Sequence, residues 1–371
     1  MYLSWEERTG KTLTAILIAE SLNVKKVLVI TKKKALGGWH EMLAAFDHSK
    51  EYTVTNYHQA HKQGEHDLVI LDESHNYISS FPKPGKIWKE LRPLTKGKPL
   101  VYLSATPYAQ GPQMLYHQLQ LSSYSPWNNY SNFYNWFRTY GKLYQREVGG
   151  FSVNQYDRCD SELILSCCEH LFLTKTRQEL GFKHEPVDKL HYIELGSQTK
   201  HVYNHLLEHQ IVELKAGMLV CDTTSKLRYA LHMLEGGVAK LNKEYIVLAN
   251  EEKIQYIKDN FGDSSDLVIM YNYKAEATKL VASFKKARLL QATSFAEGVD
   301  LYEYENLVIY SQDFSTARHT QRRARQANKE RKTPITVHYL LVKKGISEQV
   351  YKIVSKNKKN FVDSLFKRTE L

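Results

Sequence analysis

The chain has 371 residues, 42% of them hydrophobic and 25% charged, with a formal net charge of +11. That length predicts two or three domains, and that composition supplies material for buried cores in a globular protein. No run of about 18 or more apolar residues occurs, so no membrane-spanning helix is expected.

The segment from Met1 to Thr12 lacks the charged, apolar, small-residue order of a signal peptide, so the expected compartment is the cytoplasm. Cys159, Cys167, Cys168 and Cys221 form neither a disulfide framework nor a zinc-ligand spacing. The basic surplus points to a polyanionic partner, because phosphate contacts release counterions. A merely basic soluble protein would carry the same charge. The 25 tyrosines suit either stacking on bases or core packing.

Taken in chain order, Met1–Trp5 and Lys26–Thr31 read as buried strands. Between them Thr9-Gly10-Lys11-Thr12 opens a helix predicted over Leu13–Glu20. Glycine there lets backbone N–H groups close on phosphate, lysine reaches the terminal phosphates, and the threonine hydroxyl suits Mg²⁺. The helix N-terminus adds its dipole. Trp5 and Arg8 stand where such loops usually carry glycine, and alone the tetrapeptide is only a turn before an amphipathic helix.

Asp67–Leu71 is the next strand, followed directly by Asp72-Glu73-Ser74-His75. Parallel sheets present functional groups at that end of a strand. Asp72 suits Mg²⁺, and Glu73 suits orienting the water that attacks a γ-phosphate. An acidic helix cap would look similar. Strand Leu100–Leu103 then leads into Ser104-Ala105-Thr106-Pro107.

The middle differs. Ser122–Tyr144 is rich in Tyr, Trp, Asn and Ser. Gln198–Leu234 reads as helical until Gly236-Gly237. Both belong, on this reading, to helical protrusions from two lobes joined near residue 190. Strand texture returns at Asp266–Tyr271, Ala287–Gln291, Asn306–Ser311 and Ile335–Val342, and a lysine-rich helical tail runs from Ile346 to Phe366. The expected domains are residues 1–190, with an aromatic and helical insertion at about 111–190, and residues 191–371, with a protrusion at about 198–240 and a basic C-terminal helix.

A P-loop, a DE-x-H box and an S-A-T motif at three strand ends, in this order, resemble helicase superfamily 2. Leu171–Thr176, His191–Leu195, Tyr203–Leu207 and Leu227-Arg228 look like the Swi/Snf-type translocases. Thr31-Lys32-Lys33-Lys34, with Trp39 nearby, and Thr55-Asn56-Tyr57 sit where the superfamily contacts its track. Val268–Asn272 resembles its fourth motif. Ala292–Leu301 resembles its fifth, with Gly298 and Asp300 matching, and Gln321–Arg325 its sixth.

The resemblance implies an α/β fold of two RecA-like parallel-sheet lobes with helical protrusions. It implies a nucleic-acid-dependent ATPase with ATP and Mg²⁺ between the lobes. The carry-over assigns Thr9, Gly10, Lys11, Thr12, Gly298, Asp300 and Gln321 to nucleotide, and Thr12 and Asp72 to Mg²⁺. Glu73 falls on the hydrolytic water, and His75, Ser104 and Thr106 on coupling. Lys32, Lys33, Lys34, Thr55 and Thr293 fall on the nucleic-acid backbone.

Two departures stand out. The family's last arginine position holds Asn328, so either Arg325 follows Gln321 in register or Arg322 and Arg325 supply the arginine pair. The upstream adenine-recognising segment has no counterpart, so either the native start lies further upstream or adenine is held by stacking and backbone contacts. The expected track is double-stranded or branched DNA, handled by a monomeric, compact, phage-like motor. A strand-separating DNA or RNA helicase and a non-enzymatic nucleic-acid-binding module are the alternatives.

Overall fold

The computed structural model describes residues 1–148, 150–242, 244–292 and 301–365. Two compact units divide the chain: residues 1–181 with residues 357–371, and residues 182–356.

The strands of the first unit are β1 (Tyr2–Trp5), β2 (Lys26–Thr31), β3 (Glu51–Asn56), β4 (Leu68–Asp72), β5 (Leu100–Leu103), a separate hairpin of β6 (Tyr144–Val148) and β7 (Phe151–Gln155), and β8 (Phe172–Lys175). Six of them form one sheet in the order β3-β2-β4-β5-β1-β8, and every pairing in it is parallel. Both faces of this sheet are buried, which is why its inner strands are continuous apolar runs rather than alternating ones. Successive residues still point to opposite faces. Val27, Val29, Leu68, Ile70, Val101 and Leu103 enter one core, closed by Ala15, Ile16, Ala19, Trp39 and Leu43. Those five lie on helices Lys11–Ser21 and Leu36–Ala45. Leu28, Ile30, Val69, Leu71 and Tyr102 enter the other core.

That second core absorbs the aromatic segment. Trp127, Phe133, Trp136, Phe137 and Tyr140 pack with Tyr116 against the sheet. Helix Phe133–Tyr140 carries four of them, and the Asn132 side chain caps it by accepting from Asn135 N. These tyrosines and tryptophans fill space rather than face a nucleic acid. The phenol of Tyr2 on β1 likewise stacks on Phe172 of β8 at 4.8 Å between centroids.

In the second unit the strands are β9 (Pro186–Ile193), β10 (Ile211–Leu214), β11 (Gly217–Val220), β12 (Val238–Leu241), β13 (Glu244–Val247), β14 (Leu267–Tyr271), β15 (Arg288–Gln291), β16 (Asn306–Ile309) and β17 (Ile335–Val342). Five form a parallel sheet in the order β15-β14-β16-β17-β9. Both sheets, with helices on their faces, are RecA-like lobes, as expected.

All eight strands expected from the sequence form, each within two residues of its expected ends. The continuous helical reading of Gln198–Leu234 needs correction. Helices Ser197–His209 and Thr224–Glu235 flank the antiparallel hairpin β10–β11. Gln210 turns into the left-handed region at φ 60° and Gly217 sits at φ 129°, which breaks the helix and permits the tight return. The β-branched pair Ile211-Val212 favours the strand. A final helix runs over Ile346–Leu365. Among the described residues no helix is long and apolar enough to cross a membrane.

Candidate active site

The first unit gathers its three motifs at the C-terminal ends of β1, β4 and β5. Beyond β1, Gly10 adopts φ 87° immediately before helix Lys11–Ser21, a conformation that favours glycine. Lys11 Nζ donates to the carbonyls of Trp5 at 3.0 Å and Glu6 at 2.7 Å. The ammonium thus folds over its own loop. Burial lowers its pKa, while the charges of Glu73, Glu7 and Asp72 oppose that shift. Thr9 Oγ1 donates to Glu6 O at 2.7 Å, and Thr12, half-buried, starts the helix.

Asp72 closes β4. Its Oδ2 accepts from Thr31 Oγ1 at 2.7 Å and from Trp39 Nε1 at 3.0 Å. Burial raises its pKa, with the neighbouring Glu73 charge adding, and the two hydrogen bonds pull the other way. Glu73 sits at φ 52°, a region that costs a non-glycine residue roughly 1–2 kcal/mol. Such local strain concentrates at functional positions. Its Oε2 is buried without a hydrogen bond among the described residues and lies 3.5 Å from His75 Nδ1.

His75 joins the third motif. Its Nδ1 lies 2.7 Å from Ser104 Oγ, and its Nε2 lies 3.5 Å from Thr106 Oγ1. Ser104 Oγ also accepts from Thr106 N at 3.0 Å. One polar chain therefore runs from Glu73 through His75 to the S-A-T loop.

Three residues read as part of, or beside, the track-contacting segments instead hold the acidic box, and a fourth, Arg177, lay outside every motif. Thr31 and Trp39 hold Asp72, and Tyr57 donates to the Asp72 carbonyl at 2.9 Å. The register Ile30↔Leu71 sets Thr31 beside Asp72, but only knowledge that β2 adjoins β4 reveals it. Arg177, 1% exposed, pairs with Glu7 at 3.3 Å and Glu6 at 3.6 Å. Its backbone N donates to Glu6 Oε2 at 2.7 Å. The segment after β8 thereby clamps the phosphate loop. Breaking a buried pair by removing one partner costs roughly 3–5 kcal/mol. Arg177→Ala is expected to lower the stability of the first unit on that scale, with Glu7→Gln restoring part of it in the double variant. Denaturant unfolding checks this, and an unchanged midpoint in the single variant contradicts it.

Lys33 and Lys34 are exposed and Lys32 half-buried just beyond β2, whereas Thr55 on β3 is buried. In the second unit, helix Thr316–Arg323 is capped by the Ser315 side chain. Gln321 on it is half-buried. Arg322 is 2% exposed, and its Nη2 lies 3.6 Å from Asp313 Oδ2. The same oxygen accepts from Arg318 Nη1 at 2.7 Å. Burial brings the Arg322 pKa down to about 10, so it stays charged at neutral pH. Its three guanidinium nitrogens are buried without a hydrogen bond among the described residues. Arg323 instead ties the helix to β9 through Asp188 at 2.5 Å. Arg325, half-buried, lies in the turn Ala324–Gln326. Thr293, Gly298 and Asp300 lie outside the described residues.

Among the described residues no three His, Cys, Asp or Glu side chains form a metal cage. Nucleotide-bound Mg²⁺ needs only one or two protein oxygens and completes its shell with phosphate and water. The Thr12 hydroxyl and Asp72 carboxylate are oxygen donors of the kind that shell takes from a protein.

A P-loop, a DE-x-H box and an S-A-T loop on successive strand ends of a RecA-like sheet define a helicase of superfamily 2. Within it, the chain belongs to the SNF2-related domain family, which matches residues 52–237, and so to the Swi/Snf type. The matched residues include the DE-x-H box and S-A-T loop but not Lys11. Among solved structures, the Pyrococcus furiosus Hef helicase domain is similar, with a TM-score of 0.47 and 14% identity over 95% of this chain and 94% of that one. No curated protein matches the chain.

Proposed function

We propose that this chain is a nucleic-acid-dependent ATPase motor that moves along double-stranded or branched DNA. The observation that carries the reading is the wired constellation in the first unit. The charges of Glu73 and Asp72 act on the Lys11 ammonium, and His75 connects Glu73 to Ser104 and Thr106.

On this reading Lys11 exchanges its two loop carbonyls for the terminal phosphates of ATP. Thr12 and Asp72 would hold Mg²⁺, which neutralises phosphate charge when bound. Glu73, whose Oε2 makes no hydrogen bond among the described residues, orients the attacking water. Arg325, with Arg322 beside it in sequence, supplies positive charge to the transition state from the second unit. Phosphate release changes what Glu73 accepts, and the His75–Ser104–Thr106 chain passes that change to the loop beyond β5. Alternating grip on a backbone then becomes stepping.

Membership of the Swi/Snf type favours a duplex track over a single strand. The exposed Lys33 and Lys34 suit phosphate contacts, which carry no sequence information. Charge reversal at Lys32, Lys33 and Lys34 is expected to weaken binding to all sequences alike. The salt slope should flatten by about one unit for each phosphate the variant no longer neutralises, with ATP affinity unchanged. Triplex displacement tests the track. A duplex translocase removes the third strand while leaving the duplex paired. Robust strand release from a tailed duplex with no triplex displacement would overturn the duplex reading and favour a strand-separating helicase.

A further inference from the structure

The hairpin β6–β7 has no counterpart in the motif reading. Its cross-strand register pairs Tyr144 with Gln155, Arg146 with Val153, and Val148 with Phe151. Directly paired residues share a face. One face therefore carries Tyr144, Arg146, Val153 and Phe151. The other carries Gln145, Asn154, Glu147 and Ser152, and the Gln145 amide reaches Asn154 Oδ1 at 3.1 Å. Phe151 is 76% exposed and Val153 43% exposed. A scattered exposed apolar residue is ordinary. Here an aromatic, a valine and an arginine line one face of a projecting ribbon.

The charges on this face suit an anionic partner. Arg146 is exposed on it. At its root the Arg158 guanidinium stacks 3.8 Å from the Tyr144 ring centroid. Glu147 points to the opposite face. The two nearby carboxylates are occupied by the chain itself: Asp157 accepts from Tyr144 OH at 3.2 Å, and Asp160 caps helix Ser161–Cys168 through Leu163 N at 3.0 Å. A cavity of about 600 Å³ opens at the foot, lined by Lys142 and Arg158, by these same two aspartates, by Tyr140 and by the loop Tyr108–Pro112. That loop directly follows Thr106 and Pro107 of the S-A-T motif.

We infer that the β6–β7 hairpin contacts unpaired bases at a branch or fork, with Phe151 stacking on a base, Arg146 and Arg158 meeting the backbone, and the foot cavity receiving the displaced strand. An aromatic ring recognises any base through its π-face, and each such stack is worth about 1–3 kcal/mol. The inference rests on the proposed DNA motor and names the structural feature of DNA that the motor recognises.

The test compares binding of the full chain to a forked duplex with two unpaired arms and to a fully paired duplex of equal length, at fixed salt. Wild type is expected to favour the fork about tenfold. Phe151→Ala is expected to bring the ratio near one, with duplex affinity and duplex-stimulated ATPase unchanged. Phe151→Trp is expected to retain the preference. A Phe151→Ala protein with the full fork preference would overturn the inference. So would a concentration-dependent dimer of the wild type that Phe151→Ala abolishes, because the face would then serve a second copy of the chain. Failure of any nucleic acid to stimulate the wild-type ATPase is a separate outcome, which strikes the motor reading itself and the inference with it.

Discussion

Glu73→Gln is expected to bind ATP with near wild-type affinity and to hydrolyse it about 10²–10⁴-fold more slowly, the scale of a lost general base. Glutamine keeps the shape of the side chain, so the backbone at φ 52° and the N–H bond to the Leu103 carbonyl at 2.8 Å should persist. What disappears is the charge on a buried oxygen that makes no hydrogen bond among the described residues and has the His75 ring beside it, at 3.5 Å. Lys11→Ala should fail differently. It removes the phosphate-reaching ammonium and should weaken nucleotide binding as well as turnover. Single-turnover hydrolysis together with fluorescent-nucleotide binding separates the two. Wild-type hydrolysis by Glu73→Gln would refute the role given to Glu73.

The second large effect belongs to the arginines. Arg325→Ala should bind ATP nearly normally and hydrolyse it about a thousandfold more slowly, the scale of other arginine fingers. Arg322 poses a sharper question, because its guanidinium is buried beside Asp313 without a hydrogen bond among the described residues. Buried polar groups of that kind call for a partner, and a phosphate is one. Arg322→Ala should therefore also reduce hydrolysis, and it should lower the melting temperature of the second unit by leaving Asp313 with Arg318 alone. If hydrolysis falls in Arg322→Ala and stays at the wild-type level in Arg325→Ala, the finger is Arg322 and the register based on Gln321 is wrong.

Much of the first unit's candidate site was legible because the motifs are contiguous in sequence and sit at strand ends. The apolar runs KVLVIT, DLVIL and LVYL could hardly be anything but inner strands of a sheet covered on both faces. Two of the edge strands were harder. β3 reads EYTVTN, polar at alternate positions, and β9 reads PVDKLHYI, since an edge strand has less apolar surface to bury. The hairpins β6–β7, β10–β11 and β12–β13 were missed because their pairing is local and their strands are only four or five residues long, too short for an alternation to stand out.

Contacts over long separations were unreadable for a different reason. Arg177 lies 171 residues from Glu6, and only the parallel pairing of β1 with β8 brings them together. Trp39 was noticed as a neighbour of the lysine run, yet its indole reaches across to Asp72. Thr31, counted with the track-contacting segment, spends its hydroxyl on the same carboxylate. Strand order decides such roles, and a motif does not encode strand order.

The measurement that bears most directly on the central claim is steady-state ATP hydrolysis by the wild type and Glu73→Gln, alone and with duplex DNA, single-stranded DNA or RNA at one salt concentration. A duplex DNA motor predicts the largest stimulation from duplex DNA, a decline as salt displaces phosphate contacts, and no stimulated turnover in Glu73→Gln. Hydrolysis that no nucleic acid accelerates, or that persists in Glu73→Gln, would contradict it.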